Sequence, residues 1–150
     1  MDPPRPLRDS TVVLTDDNPV LREVLSMVLR PAVAELLLAS DGVECVEAVR
    51  AYAPDLVLLD LNMPRMDGWT AIGVLREDES VCPPIVVALT ADASPRTRER
   101  ALEVGFDGFL VRPVEPHTLV PAVEAAYRAA QEARRRRCRD GQDGVTAAMA

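Results

Sequence analysis

The chain has 150 residues, which is enough for one domain with a single hydrophobic core and leaves no room for a second. Its formal net charge of −7 argues against general nucleic-acid binding by the folded body. All 17 basic residues are arginine, and aromatic residues make up only 3% of the chain, so the interior must be built from aliphatic side chains. Such an interior favours layered α/β packing.

Cysteine usage and hydropathy predict a cytoplasmic protein. Cys45, Cys82 and Cys138 are odd in number and lie far apart, which argues against a disulfide framework or a zinc site. No segment approaches the roughly 20 apolar residues that span a bilayer. The start, MDPPRPLRDS, does not have the pattern of a secretory signal. We therefore predict no membrane contact.

Five short apolar runs alternate along the chain with segments of helical period. The runs are TVVLT (11–15), ELLLA (35–39), DLVLL (55–59), IVVAL (85–89) and GFLV (108–111). Each run is unbroken rather than alternating, as in strands that are covered on both faces. Five βα units with right-handed crossovers are predicted, and they give a parallel sheet flanked by helices.

Four of the five helices have clear start signals, which are Asn18-Pro19, Asp41, Asp67 and Ser94-Pro95. The fifth is less clear, because Pro121 would interrupt a helix that is capped by Glu115. A start at His117 or Thr118 places Pro121 in the tolerated first turn, and this later start is the prediction. His117, the only histidine, is interpreted as a solvated residue.

The two ends of the chain differ in composition from the middle. We predict a flexible segment over residues 1–9, a folded domain over 10–133, and an Arg-rich helix end with a flexible tail over 134–150. Arg134 to Arg137 would stabilise the carboxyl end of the last helix through its dipole. A contact of these arginines with RNA, DNA or an acidic protein is the less favoured alternative.

At four of the five predicted strands, the residues that follow the strand include a polar side chain. They are Asp16-Asp17, Asp60, Thr90-Ala91 and Arg112-Pro113. Ligands of open parallel sheets gather at the carboxyl ends of the strands. Taken singly, each residue could serve only as a helix cap or in a turn. Together, three carboxylates at one edge would repel one another unless a cation neutralised them, and Mg²⁺ prefers such oxygen ligands.

Four motifs carry a resemblance to a known family. VLTDDN, DLVLLDLNMPRMDG, VALTAD and FLVRP stand at spacings similar to those of the receiver domain of two-component response regulators. The resemblance covers about residues 10 to 130. It implies a flavodoxin-like (βα)5 fold with strand order 2-1-3-4-5 and three α/β/α layers.

The resemblance also implies a site and its chemistry. Asp16 and Asp17 would hold Mg²⁺, Asp60 would ligate the metal and accept a phosphoryl group, and the Asn62 carbonyl would supply a further oxygen. The protein would then be a signalling domain rather than an enzyme, with at most Mg²⁺-dependent autophosphorylation and autodephosphorylation.

Three further residues match the switch of that family. The Thr90 hydroxyl and the Ala91 backbone N–H would bind phosphoryl oxygens, and Phe109 would swing inward. Arg112 departs from the family, which usually has lysine at that position. The guanidinium could bind the phosphoryl group with altered switching, or it could clamp Asp60 in one state.

Three functions are compatible with the sequence. The favoured one is a stand-alone receiver that is phosphorylated by a sensor histidine kinase or a phosphotransfer protein. Its output would pass through an unidentified downstream protein or through a homodimer. The second is a pseudo-receiver that Arg112 makes insensitive to phosphorylation. The third, a phosphohydrolase of the haloacid dehalogenase kind, is disfavoured because Asn62 stands where those enzymes have a second aspartate.

Overall fold

The computed structural model describes residues 5–80, 83–112 and 115–149, with side chains through Arg137. It contains the strands β1 (Thr11–Thr15), β2 (Glu35–Ala39), β3 (Leu56–Asp60), β4 (Ile85–Thr90) and β5 (Gly108–Val111). The helices are α1 (Pro19–Leu29), α2 (Gly42–Tyr52), α3 (Gly68–Glu77), α4 (Pro95–Val104) and α5 (Pro116–Met149). The strands are parallel and lie in the order β2-β1-β3-β4-β5. The predicted (βα)5 fold and strand order are therefore confirmed.

Alternate residues of the central strands belong to two separate cores. In β3, Leu56 and Leu58 join the core under α1 and α5, whereas Val57 and Leu59 join the core under α2, α3 and α4. Successive side chains of a strand point to opposite faces, so an unbroken apolar run fills both cores. Three α/β/α layers result.

The edge strands do not fit the prediction of strands covered on both faces. The central strands are almost wholly buried, but Leu38 of β2 is 39% exposed and Val111 of β5 is 41% exposed. An edge strand has a pairing partner on one side only, and helices cover it less completely. The apolar run alone does not distinguish edge strands from central ones.

The four predicted helix starts are confirmed. The side chain of each N-cap residue accepts a hydrogen bond from a backbone N–H two or three residues later, and these residues are Asn18, Asp41, Asp67 and Ser94. Asn18 also places α1 directly after the aspartates that follow β1. The caps thus fix where the loops at the carboxyl edge of the sheet end.

The predicted start of the last helix is wrong. The helix begins at Pro116, and the Glu115 carbonyl accepts hydrogen bonds from both the backbone N–H and the hydroxyl of Thr118. Proline suits the first helical position because its missing N–H would have no partner there. Pro121 lies inside the helix and is exposed, so water can reach the backbone carbonyl that its ring leaves without a donor.

Part of each end that is predicted to be flexible has regular structure, and residues 1–4 lie outside the described residues. Residues 7–9 form a 3₁₀ turn, Leu7 is buried, and the Ser10 hydroxyl lies 2.9 Å from that of Tyr127. Burial of Leu7 therefore orders residues 5–9 against the domain. At the other end, α5 continues to Met149. No helix within the described ranges has an apolar stretch long enough to cross a bilayer.

Candidate functional site

Three aspartates meet at the carboxyl edge of the sheet. Asp60 is the last residue of β3, and Asp16 and Asp17 follow the neighbouring strand β1. The parallel register pairs Thr15 with Leu59, which places the two strand ends side by side. One carboxylate oxygen from each aspartate lies within 4.8 Å of the others.

Asp16 is the most buried member of this acidic cluster, at 1% exposure. Its Oδ1 accepts a hydrogen bond of 2.9 Å from the Asn18 backbone N–H. Its own carbonyl accepts one of 2.7 Å from Nη1 of Arg22. Sequence reasoning did not single out Arg22, although it lies four residues after the N-cap Asn18 and so points back along α1 toward the strand end. Asp17 is exposed and faces the solvent side of the cluster.

The Asp60 side chain is 12% exposed, and its carboxyl has a raised pKa. Burial raises the pKa to about 6, against the hydrogen bond from the Asn62 N–H and the charge of Arg112, while Asp16 and Asp17 raise it further. The Asn62 N–H donates to Oδ1 of Asp60 at 3.1 Å. A divalent cation in the cluster would favour the ionised carboxylate.

The loop after Asp60 folds back tightly on the strand end. The Gly68 N–H donates to the Leu61 carbonyl at 3.0 Å, and a Cβ at Gly68 would overlap the Asp60 carbonyl oxygen. Glycine is required at this close approach, which brings the start of α3 against β3. Asn62, between these points, is exposed.

Thr90 and Ala91 stand at the end of β4, beside β3. Thr90 is 2% exposed, and its Oγ1 accepts a hydrogen bond of 3.0 Å from the Asp92 N–H. Ala91 is exposed. The Asp92 side chain accepts a hydrogen bond of 2.6 Å from the Thr97 hydroxyl and so fastens the loop to the start of α4.

Arg112 lies at the end of β5 and reaches across to the aspartates. Its Nη2 donates to Oδ2 of Asp16 at 2.6 Å, whereas the distance to Oδ2 of Asp60 is 3.8 Å. The predicted contact with Asp60 is therefore the longer of the two. The Arg112 backbone N–H donates to the Thr90 carbonyl at 2.6 Å, which fixes the start of the side chain. The next residue, Pro113, lies outside the described residues.

Two aromatic residues flank the site. Phe109 is half-buried and packs against the core under α2, α3 and α4. Trp69, at the start of α3, stacks edge-on against Phe106 with ring centroids 6.0 Å apart. The Arg100 guanidinium lies 4.3 Å above the Trp69 ring.

His117 and Cys45 are not members of the acidic cluster. His117 is exposed and pairs with Glu115 at 3.1 Å. Cys45 is a buried free thiol, and burial raises its pKa to about 11. Cys82 and the Cys138 side chain lie outside the described residues.

The donor set of the cluster fits Mg²⁺. Magnesium takes oxygen ligands, and it is commonly held by one or two carboxylates together with water and phosphoryl oxygens. Asp16, Asp17 and Asp60 bring three such oxygens within 4.8 Å of one another. Asp17 and Asn62 are exposed, so solvent reaches this side of the cluster.

Comparisons with known proteins agree on one family. A model described as the response regulator receiver domain matches residues 12–124. The DNA-binding response regulator MtrA of Mycolicibacterium smegmatis is 40% identical over 117 residues, which are 78% of this chain and 50% of that protein. The chain thus spans about half the length of MtrA.

Solved structures give the same result. The chemotaxis response regulator CheY4 of Vibrio cholerae superimposes with a TM-score of 0.73 at 28% identity, over 79% of this chain and 98% of that one. The receiver domain of a NarL response regulator from Mycobacterium tuberculosis gives 0.71 at 31% identity, over 81% and 98%.

Proposed function

Because the chain belongs to the response regulator receiver family, we propose that it accepts a phosphoryl group on Asp60 and signals through contacts with other proteins. The observation that supports this most directly is the convergence of Asp16, Asp17 and Asp60 within 4.8 Å at the carboxyl edge of the sheet. A sheltered carboxylate beside two others is suited to attack phosphorus once a cation neutralises the cluster.

The proposed reaction uses a phosphohistidine donor. A carboxylate oxygen of Asp60 attacks phosphorus and forms a P–O bond as the P–N bond breaks. The electron pair of the broken bond goes to the imidazole nitrogen of the donor, which takes up a proton from water. The products are an aspartyl phosphate and free histidine.

The cluster would hold Mg²⁺ through Asp16, Asp17 and Asp60, with the backbone carbonyl of Asn62 as a further ligand. The metal, when bound, offsets the charge of the transferring phosphoryl group. Asp60 must be ionised to attack, and its raised pKa means that proton loss and cation binding favour each other.

Thr90, Ala91, Arg112 and Phe109 are assigned to the response. The Thr90 hydroxyl and the Ala91 N–H would donate to phosphoryl oxygens, and Arg112 would approach the same group from β5. The Thr90 hydroxyl is now bound to the loop at Asp92, so turning toward a phosphate would release that bond. Phe109 would move inward from the half-buried position that it has against the core.

The partners of this reaction are also proposals. The phosphodonor would be a sensor histidine kinase or a phosphotransfer protein, and the output would pass to a downstream protein or to a second copy of the chain. We propose residues 10–133 as the receiver and the cytoplasm as its location. Its catalysis is limited to Mg²⁺-dependent transfer to Asp60 and hydrolysis of the product.

Intact-mass spectrometry after incubation with acetyl phosphate tests the proposal. We expect the wild type to gain the mass of one phosphoryl group with Mg²⁺ and none with EDTA, and we expect Asp60→Asn to gain none. Asp9→Asn is the matched control, because Asp9 is an exposed aspartate before β1. A wild type that stays unmodified at saturating Mg²⁺ would show a pseudo-receiver, and steady release of phosphate would show a phosphohydrolase.

A further inference from the structure

Arg112 holds an aspartate of the proposed magnesium site rather than the proposed phosphoacceptor. Its Nη2 is 2.6 Å from Oδ2 of Asp16 and 3.8 Å from Oδ2 of Asp60. The Asp16 side chain is 1% exposed and that of Arg112 is 17% exposed. A charge-assisted hydrogen bond in such a sheltered place is stronger than a surface ion pair.

Both oxygens of Asp16 are engaged. Oδ1 accepts from the Asn18 N–H at 2.9 Å, and Oδ2 accepts from the guanidinium. A cation that binds Asp16, Asp17 and Asp60 together would take an oxygen of Asp16, and both of its oxygens already accept a hydrogen bond. The guanidinium and a divalent cation therefore share one carboxylate and repel each other.

The backbone of Arg112 is held in place, but one of its side-chain donors has no hydrogen-bond partner. Its backbone is fixed by the bond from its N–H to the Thr90 carbonyl, at 2.6 Å. Within the described part of the chain, its buried Nε has no hydrogen-bond partner. A planar guanidinium can bridge two oxygens, whereas a lysine ammonium is a compact point charge. In its present position the guanidinium therefore leaves one donor unused.

We propose that Arg112 competes with the divalent cation for Asp16, so that metal binding releases the guanidinium toward the phosphoryl group on Asp60. This rests on the magnesium site of the proposed function. By linkage, the Arg112–Asp16 bond weakens metal binding by the same factor as the metal weakens that bond. The Arg112–Asp16 bond thus raises the metal concentration at which the protein becomes competent.

Calorimetric titration of the unphosphorylated full chain with Mg²⁺ tests the competition. We expect Arg112→Gln to bind Mg²⁺ about tenfold more tightly than the wild type. Arg112→Lys should fall between the two, and it serves in place of Arg112→Gln if the latter does not fold. Arg8→Gln is the matched control, because Arg8 is an exposed arginine at the amino end of β1, and we expect less than a twofold change.

A second readout follows the guanidinium itself. In ¹⁵N-edited NMR spectra, the Nε–H resonance that Arg112→Lys removes should shift as Mg²⁺ saturates the wild type. Unchanged or weaker Mg²⁺ binding in Arg112→Gln, or an Nε–H resonance that does not respond to Mg²⁺, would overturn the competition. Phosphorylation of Asp60 by acetyl phosphate is measured separately, so the proposed function stands or fails on its own result.

Discussion

Arginine side chains contact a buried aspartate at both edges of the sheet, but the excess local charge has opposite signs at the two edges. At the carboxyl edge, one guanidinium faces the cluster of Asp16, Asp17 and Asp60, and negative charge is in excess. At the amino edge, before β5, the Asp107 side chain is 6% exposed and lies against three guanidiniums, those of Arg76, Arg134 and Arg137. Positive charge is in excess there.

Two of the amino-edge arginines, Arg76 and Arg134, also donate to main-chain carbonyls. Arg76 donates to the Gly105 carbonyl at 2.8 Å, and Arg134 donates to the carbonyls of Pro83 and Pro84 at 2.7 Å each. Asp107 in turn accepts from the Val86 N–H at 2.9 Å. These bonds tie α3, α5 and the starts of β4 and β5 together.

The contrast separates a structural cluster from a reactive one. Around Asp107, carbonyl dipoles take up most of the donors of Arg76 and Arg134, so the cluster offers little to a ligand. Around Asp60, the carboxylates outnumber the cation, and the Asp60 pKa is raised by burial. The excess negative charge and the free lone pairs of these carboxylates lie at an edge that faces solvent, and they favour binding of a cation.

The largest expected effect on stability is at Asp107. Asp107→Asn leaves the arginines around it without their carboxylate, and breaking a buried ion pair from one side costs about 3–5 kcal/mol of unfolding free energy. Urea unfolding followed by circular dichroism measures it, with Asp9→Asn as the exposed control. A loss below about 1 kcal/mol would mean that the carbonyls alone hold the arginines.

A gain in stability is expected at Asp60. Burial raises its pKa from 3.8 to about 6, so the folded state holds the proton more tightly than the unfolded chain. The ionisation penalty is absent below about pH 4 and complete above about pH 7. In EDTA at pH 8, Asp60→Asn should therefore be more stable than the wild type by about 1–3 kcal/mol.

The pH dependence separates this effect from a general gain in packing. The difference in unfolding free energy between Asp60→Asn and the wild type should shrink as the pH falls toward about 4. An advantage that persists at low pH, or no advantage at pH 8, would contradict an ionisation penalty at Asp60.

Two neighbouring arginines of α5 should differ in their contribution. Arg134→Gln removes a charge from Asp107 and donors from Pro83 and Pro84, at a cost of about 1–2 kcal/mol. Arg136 is exposed and pairs with Glu132 at 3.2 Å along the helix, so Arg136→Gln should change stability by less than about 0.5 kcal/mol. Equal losses would point to a general effect of charge on α5.

The sequence predicted the parts that depend on local pattern. Unbroken apolar runs located all five strands, and Asn18, Asp41, Asp67 and Ser94 located four helix starts. The carboxyl edge followed from parallel topology, because any residue just after a strand must lie there. β3 and β4 each extend one residue further than predicted and include Asp60 and Thr90.

The parts that depend on side-chain reach could not be predicted. Arg112 could approach either Asp16 or Asp60, and only the geometry of β5 beside β4 decides for Asp16. Arg134 was interpreted as a charge that complements the helix dipole, yet it binds Asp107, 27 residues earlier in the chain. Contacts between residues that lie far apart in the chain produce no periodic pattern in the sequence.

A small effect is expected at an arginine that packs on an aromatic ring. Arg100 lies 4.3 Å above Trp69, and an exposed cation–π contact contributes about 0.5–1 kcal/mol. Arg100→Gln should cost about that much and shift the emission of Trp69, the only tryptophan, while Arg98→Gln, an exposed arginine on the same helix, should leave the emission unchanged. Because Trp69 is at the start of α3, close to the loop after Asp60, an emission that ignores Arg100 but responds to Mg²⁺ would trace the signal to that loop rather than to α4.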